Sequence, residues 1–389
     1  MKKFVILLAI LVTITTQGFS NPNIANQKSD NKNVKTSTLK SAKTKPTSTQ
    51  NQKITPKNNT LKKGINDFEI VPTMESESSA KNQVWAGAFQ IVWNDLMDEL
   101  IKGPVKFIND QPTMVNLLNK QEFKTTDISE SAYYKKWGIA SSALKKEIED
   151  GIWEKFKEKS QILDMADWNP GPCKYILYTM MKKDLEYEKE FESLQAAKFD
   201  GSKTLIKYFG IEEEPYGTNV KRTVGVLFYN DAKDFAVTLR SKQGDLIHLY
   251  RVNTDKTLAE IYKEMKEKTK NNYDRMRSID KFKAPKINFN QIKEFKELYG
   301  KPMFTPKEIC NYPIEITKAI ERIQFKMDEV GAKVVAEALM ELGETSRGRN
   351  FKRPEPRHFY FTGPYAIFIE EPGKEPYFAA YIKDPGNIQ

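Results

Sequence analysis

The feature that most constrains this 389-residue chain lies near its C-terminus, where apolar strands flank a segment rich in small apolar residues. Phe325-Lys-Met-Asp-Glu-Val-Gly331 leads into the Ala- and Val-rich stretch 332–342, then a polar tip from Gly343 to Asn350. The chain returns through Phe359 to Ile369. Counted with the period of two that a strand imposes, one face of the stretch carries Ala332, Val334, Ala336, Ala338, Met340 and Leu342. The other carries Lys333, Val335, Glu337, Leu339 and Glu341. The first face is wholly apolar and mostly small, as a strand squeezed between existing strands requires. The same residues are good helix formers, and Val335, Leu339 and Leu342 sit at helical spacing. An amphipathic helix therefore fits the local pattern too. The flanking strands favour a loop.

The N-terminal end is different in kind. Lys2 and Lys3, an apolar run from Phe4 to Thr13 and the small-residue pattern Gly18-Phe19-Ser20 predict a secretory signal over residues 1–20. The run is too short to span a bilayer stably. The expected location is secreted and extracellular, or periplasmic or at the cell surface. Residues 21–80 are rich in Asn, Gln, Lys, Ser and Thr, which bury too little apolar surface to offset their ordering entropy. They read as a disordered leader. Between Asn21 and Lys63 ten lysines face only Asp30, and with Lys2 and Lys3 they account for the net charge of +10. The remainder is near neutral, which removes the electrostatic case for nucleic acid binding. The basic leader reads as a solvated spacer with at most weak contact to the cell envelope. Cys173 and Cys310 either pair or stand as two separate thiols; the spacing does not decide. Residues 81–389 suit one large domain.

Within that domain helices come first and strands later, an α+β arrangement. Asn82–Leu100 reads as a helix after a short entry, ended by Gly103-Pro104, with further helices at Pro112–Asn119 and Ser142–Ser160. Tyr175–Met181 is continuously apolar, as in a strand buried on both faces. Short strands follow at Thr223–Tyr229, Phe235–Arg240 and Leu246–Val252, then a helix at Leu258–Lys268. Lys283–Phe289 reads as a strand, Ile292–Leu298 as a helix and Ile320–Met327 as a strand. Tyr365–Ile369 and Tyr377–Ile382 form a hairpin around Glu371-Pro-Gly-Lys374.

The sequence carries little that catalyses. Its two histidines, His248 within an apolar strand and His358 beside Arg357, read as structural or surface residues. No H-E-x-x-H, C-x-x-C, Walker, G-x-G-x-x-G or G-x-S-x-G motif occurs, so no metal, cofactor or esterase nucleophile is indicated. The acidic runs Glu186–Glu192 and Glu212–Glu214 read as solvated turns. The chain is not expected to be an enzyme.

Several segments resemble the serpin family in order. Asn82-Gln-Val-Trp-Ala-Gly-Ala-Phe-Gln is similar to the start of its central buried helix, and Lys174–Phe191 to the first long strand of its main sheet. Phe228–Lys268 and Ala284-Pro-Lys-Ile-Asn-Phe289 follow, and Phe361–Pro385 is the strongest match. The resemblance, to a divergent secreted serpin of bacterial type, implies N-terminal helices, large mixed or antiparallel sheets and an exposed C-terminal reactive loop. It implies a monomeric inhibitor that traps a serine or cysteine protease when the cleaved loop inserts. Glu329, Gly331 and Ala332 would form the hinge, and Val334, Ala336, Ala338, Met340 and Leu342 the inserting face. Thr345, Ser346 or Arg347 would mark the cut, with Arg347 favoured. The sequence departs from inhibitory members at Val334, Val335 and Glu337, at Ala86-Gly87 and at Leu185. The alternative is a non-inhibitory binding or surface protein of the same fold.

Overall fold

The computed structural model describes residues 4–16, 68–213, 218–330 and 355–389, with side chains in the first stretch from Ala9 to Ile14. In chain order the strands are β1 (Phe4–Thr16), β2 (Phe68–Ile70), β3 (Asn82–Ala86), β4 (Tyr133–Ile139), β5 (Tyr175–Leu185) and β6 (Glu192–Ala197). Next come β7 (Ile206–Ile211), β8 (Val224–Asp231), β9 (Asp234–Arg240), β10 (Leu246–Arg251), β11 (Asp274–Arg275) and β12 (Lys281–Pro285). The last are β13 (Ile287–Glu294), β14 (Pro302–Met303), β15 (Ile314–Met327), β16 (His358–Tyr360), β17 (Tyr365–Glu370) and β18 (Pro376–Ile382). The α-helices are α1 (Gly87–Asp95), α2 (Thr113–Leu118), α3 (Ser142–Phe156) and α4 (Leu258–Thr269).

Among the described residues these strands form three sheets, in agreement with the α+β expectation. The first runs β13-β15-β1-β5-β4 with β14 beside β15, the second β11-β8-β9-β10-β17-β18-β3-β2, the third β16-β12-β7-β6. The main core is shared by the first two sheets, where Phe325 of β15 stacks on Phe378 of β18 at 4.4 Å. Burial on both faces explains why β5, β17 and β18 read as unbroken apolar runs in sequence.

Helix α3 shows how local pattern becomes packing. Leu144, Ile148, Ile152 and Phe156 recur every four residues, and all four are buried against Leu11, Ile176, Tyr178 and Ile320. The Ser141 hydroxyl accepts from the Leu144 amide at 3.1 Å to start the helix. At the other end Lys157 adopts a left-handed conformation, φ 55°, and stops it. Helix α1, buried throughout, lies on the opposite face of the first sheet, and its Phe89 packs on Phe295 at 4.4 Å. Gly87 opens that helix because a Cβ there would fall 2.2 Å from the Phe123 ring, which accounts for the Ala86-Gly87 departure.

Several expectations change. Asn82–Ala86 is not helical but strand β3, paired with β18 from Asn82↔Ile382 to Ala86↔Phe378. The partner strand supplies hydrogen bonds that outweigh the helical spacing of Val84 with Phe89. The helix expected at Ile292–Leu298 is largely the end of β13, because Lys293 and Glu294 pair with Glu321 and Ile320 of β15; only a short turn at Lys296–Leu298 is helical. Packing also starts earlier than residue 81. β2 lies parallel to β3, Ile70, Val71 and Ala80 are buried, and the Ala259 amide donates to the Met74 carbonyl at 2.9 Å. A disordered leader therefore cannot extend to residue 80. Finally, the apolar run read as an export signal is strand β1 in the full chain.

Candidate strand-insertion site

The arrangement most suggestive of function is the centre of the first sheet. β1 lies there antiparallel to both neighbours, paired from Ile6↔Phe325 to Thr16↔Ile314 with β15, with one register shift between Thr13 and Ile14, and from Phe4↔Leu185 to Ile14↔Tyr175 with β5. Residues 17–67 separate it from β2, so no short connection ties it into the sheet. Its side chains alternate as a doubly buried strand must. Ile10, Val12 and Ile14 enter the main core, while Ala9 and Leu11 face α3. Burying each branched aliphatic side chain stabilises by about 1.5–3 kcal/mol, so the segment is held firmly by apolar contact.

The walls around it are less apolar than the segment. At one level the sheet reads Lys293 (β13), Glu321 (β15), Ile10 (β1), Thr179 (β5) and Lys135 (β4), all in register. The outer lysines have carboxylate partners: Lys293 with Glu69 at 3.0 Å and Lys135 with Asp95 at 2.5 Å. The inner pair does not. Both carboxyl oxygens of Glu321 and the Thr179 hydroxyl are fully buried and make no hydrogen bond among the described residues. Burial pushes the Glu321 carboxyl well above the usual carboxylate range, and Lys293 opposes this without overcoming it.

One end of this slot is covalently fixed. Cys173, just before β5, is disulfide-bonded to Cys310, just before β15, with Cα atoms 5.7 Å apart. The Tyr175 hydroxyl donates to the Ile309 carbonyl at 2.7 Å beside it. The two cysteines, whose pairing the sequence left open, thus clamp together the strands that β1 separates. A disulfide typically stabilises a fold by about 2–4 kcal/mol.

At the other end β15 leaves the sheet at Met327. Of the hinge residues only Glu329 lies within the described residues. Its carboxylate meets Lys286 at 2.6 Å, and its carbonyl accepts from the Phe191 amide at 3.1 Å. Asp328 is paired with Lys326 and accepts from the Val330 amide at 3.0 Å. Gly331, Ala332, Val334, Ala336, Ala338, Met340, Leu342, Thr345, Ser346 and Arg347 all lie outside the described residues. Leu185, the other departure, is buried at the end of β5.

The chain re-enters through an anchor that sequence reasoning missed. Arg357 donates from Nη2 at 2.8 Å and Nε at 3.1 Å to fully buried Asp280, and its amide donates to the same carboxylate at 2.9 Å. Its Nη1 donates to Asp274 at 2.9 Å. No local signal announces a pair separated by this much chain. His358 is exposed and stacks on Tyr360 with ring centroids 5.0 Å apart, while buried His248 lies 3.2 Å from Glu370. Glu212, read as part of a solvated turn, instead accepts from Tyr360 and pairs with Lys281 and Lys283.

Two other features bear on chemistry. A surface cavity of about 590 Å³ is lined by Lys221, Arg222, Arg240, Tyr273 and Arg275, a basic wall without a catalytic acid. Among the described residues no cluster of His, Cys, Asp and Glu could hold a metal ion.

No family model matches the chain, and no curated protein matches it. Among solved structures it is similar to AtSerpin1 of Arabidopsis in its native stressed conformation, with 12% identity and a TM-score of 0.47 over 80% of this chain and 93% of that one. It is similar to Serpin48, a highly specific serpin of the insect Tenebrio molitor, with 11% identity and a TM-score of 0.44 over 78% and 92%. Human thyroxine-binding globulin complexed with thyroxine gives 10% identity and a TM-score of 0.46 over 78% and 92%. The described residues themselves show an α+β arrangement of three sheets and four α-helices, with a strand set into the middle of the first sheet.

Proposed function

We propose that this chain is an exported inhibitor that traps a serine or cysteine protease through cleavage of its 331–354 segment. One observation carries the reading. A strand remote in sequence lies between β5 and β15, and β15 runs out towards the segment that begins at Gly331. A sheet that takes a strand there has the geometry to take residues 332–342, whose small apolar face has the period that insertion demands. The protease nucleophile attacks the backbone carbonyl of the bait residue, Arg347 in the favoured register and Thr345 or Ser346 in the others. The acyl bond forms as the peptide nitrogen leaves as an amine. Insertion about the hinge Glu329, Gly331 and Ala332 then carries the acylated protease away before water releases it. In this reading the chain is a monomer and its protease's ligand rather than an enzyme. The lysine-rich leader adds only weak contact with the cell envelope.

A second reading is favoured by a specific observation, namely that β1 already fills the central position. A serpin-fold chain whose sheet is complete would serve as a binding or surface protein with an inert loop, and thyroxine-binding globulin is a binding protein among the similar structures.

The test uses exported protein from which residues 1–20 have been removed. Incubation with a trypsin-like protease is expected to give an SDS-stable covalent complex that Arg347→Ala abolishes. Cleavage without a complex would support the binding reading and reject inhibition.

A further inference from the structure

We propose that Phe4–Thr16 is an intramolecular plug: in the full chain it fills the strand-acceptor slot between β5 and β15 and excludes any other strand from it. The inference rests on the proposed function only for the identity of the excluded strand, residues 332–342. Occupancy itself rests on the register with both neighbours and on the burial of residues 9–14.

Three observations make the plug a replaceable occupant rather than a permanent strand. Neither of its sheet neighbours, β5 and β15, is adjacent to it in sequence, so no tight turn joins it to either. The plug leaves Glu321 and Thr179 buried, with no hydrogen bond among the described residues, on either side of Ile10. Both groups regain water when β1 leaves, which offsets part of the apolar burial lost. The Cys173–Cys310 bond fixes the near ends of β5 and β15 whether or not the slot is filled, so the acceptor edges stay aligned. Removal of residues 1–20 at the Gly18-Phe19-Ser20 site takes the plug away and opens the slot. Export and activation are then a single event, and a chain still carrying its leader cannot insert its loop.

The test uses the full chain and two substitutions in the plug. Val12 faces Ala319 across the β1–β15 pairing and both are buried, so Val12→Cys with Ala319→Cys should cross-link on mild oxidation. Peptide mapping distinguishes that bond from Cys173–Cys310. Val12→Asp puts a charge into the main core and should expel the strand. The probe is a fluorescent peptide of residues 332–342. It is expected to bind the Val12→Asp chain about tenfold or more tightly than the unsubstituted chain, and the cross-linked chain not at all. Should Val12→Asp fail to fold, Val12→Ala loosens the strand without a charge and is read in its place. Free thiols at both new cysteines after oxidation would overturn the plug. So would equal peptide binding, or none, in the unsubstituted and loosened chains. Neither readout involves a protease, so failure of the plug and failure of inhibition are separable.

Discussion

The β17–β18 hairpin and strand β1 are both built of apolar strand residues buried on two faces, yet the carboxylates beside them are treated differently. Around the hairpin several polar groups are paired, although the Tyr365 hydroxyl of β17 is buried with no hydrogen bond among the described residues. The Tyr377 hydroxyl donates to Asp245 at 3.1 Å, and the Tyr262 hydroxyl and Lys266 both reach Glu370, at 2.5 and 3.3 Å. Glu371, drawn down to about 2 by Lys183, Lys374 and Ser129 against the pull of burial, ties the hairpin turn to two other segments. Around β1 the neighbouring Glu321 carboxyl and Thr179 hydroxyl make no hydrogen bond among the described residues. A sheet position built for one permanent occupant has its polar groups matched to that occupant. A position that different strands filled in turn, as proposed for the slot between β5 and β15, would not match all of them.

The largest expected effect lies on the hairpin side. Phe378→Ala removes a fully buried ring stacked on Phe325 and should cost about 3–5 kcal/mol in chemical denaturation. It should lower the whole unfolding transition. Substitutions in β1 should instead release one strand and leave the second sheet folded. If Phe378→Ala loosened only the C-terminal hairpin, the two regions would not differ as described.

A smaller effect should appear at Glu321. Its carboxyl holds a proton in the folded chain at pH values where the unfolded chain has released it. Stability is therefore expected to fall as pH rises from about 4.5 through the folded value, by about 1.4 kcal/mol for each pH unit between the two. Glu321→Gln should flatten that slope and raise stability at neutral pH. Glu371 and Glu264, both held near 2, act in the opposite sense: their stabilisation is lost as pH falls below about 4.5. A Glu321→Gln chain with an unchanged slope between pH 5 and 8 would show that the slot is wetter than the structure describes.

Much of the scaffold was legible in the sequence because its signals are local. Tyr175–Met181 declared a doubly buried strand by its unbroken apolar run, and α3 declared its buried face by four-residue recurrence. The hairpin was readable from its turn, where Gly373 takes φ 78°. What was missed depends on distant partners. Asn82–Ala86 carries helical spacing, and only the pairing with β18 makes it a strand. The run Phe4–Thr13 has the length and flanks of an export signal, and nothing within it predicts β5 and β15 as neighbours. Asp280 and Arg357 are unremarkable one at a time, and become a buried anchor only when β12 and β16 lie side by side. Of the candidate site, the sequence reading put a strand end at Met327 just before Glu329, as the structure has it, while the polar level through Ile10 had no sequence signature at all.

The most direct test of the central claim is the melting temperature of the leader-free chain before and after cleavage of the 343–350 tip. If the slot between β5 and β15 accepts residues 332–342, cleavage should raise the melting temperature well above that of the uncut chain. An unchanged or lower value after complete cleavage would mean that the slot accepts no strand from the loop, and would contradict the account.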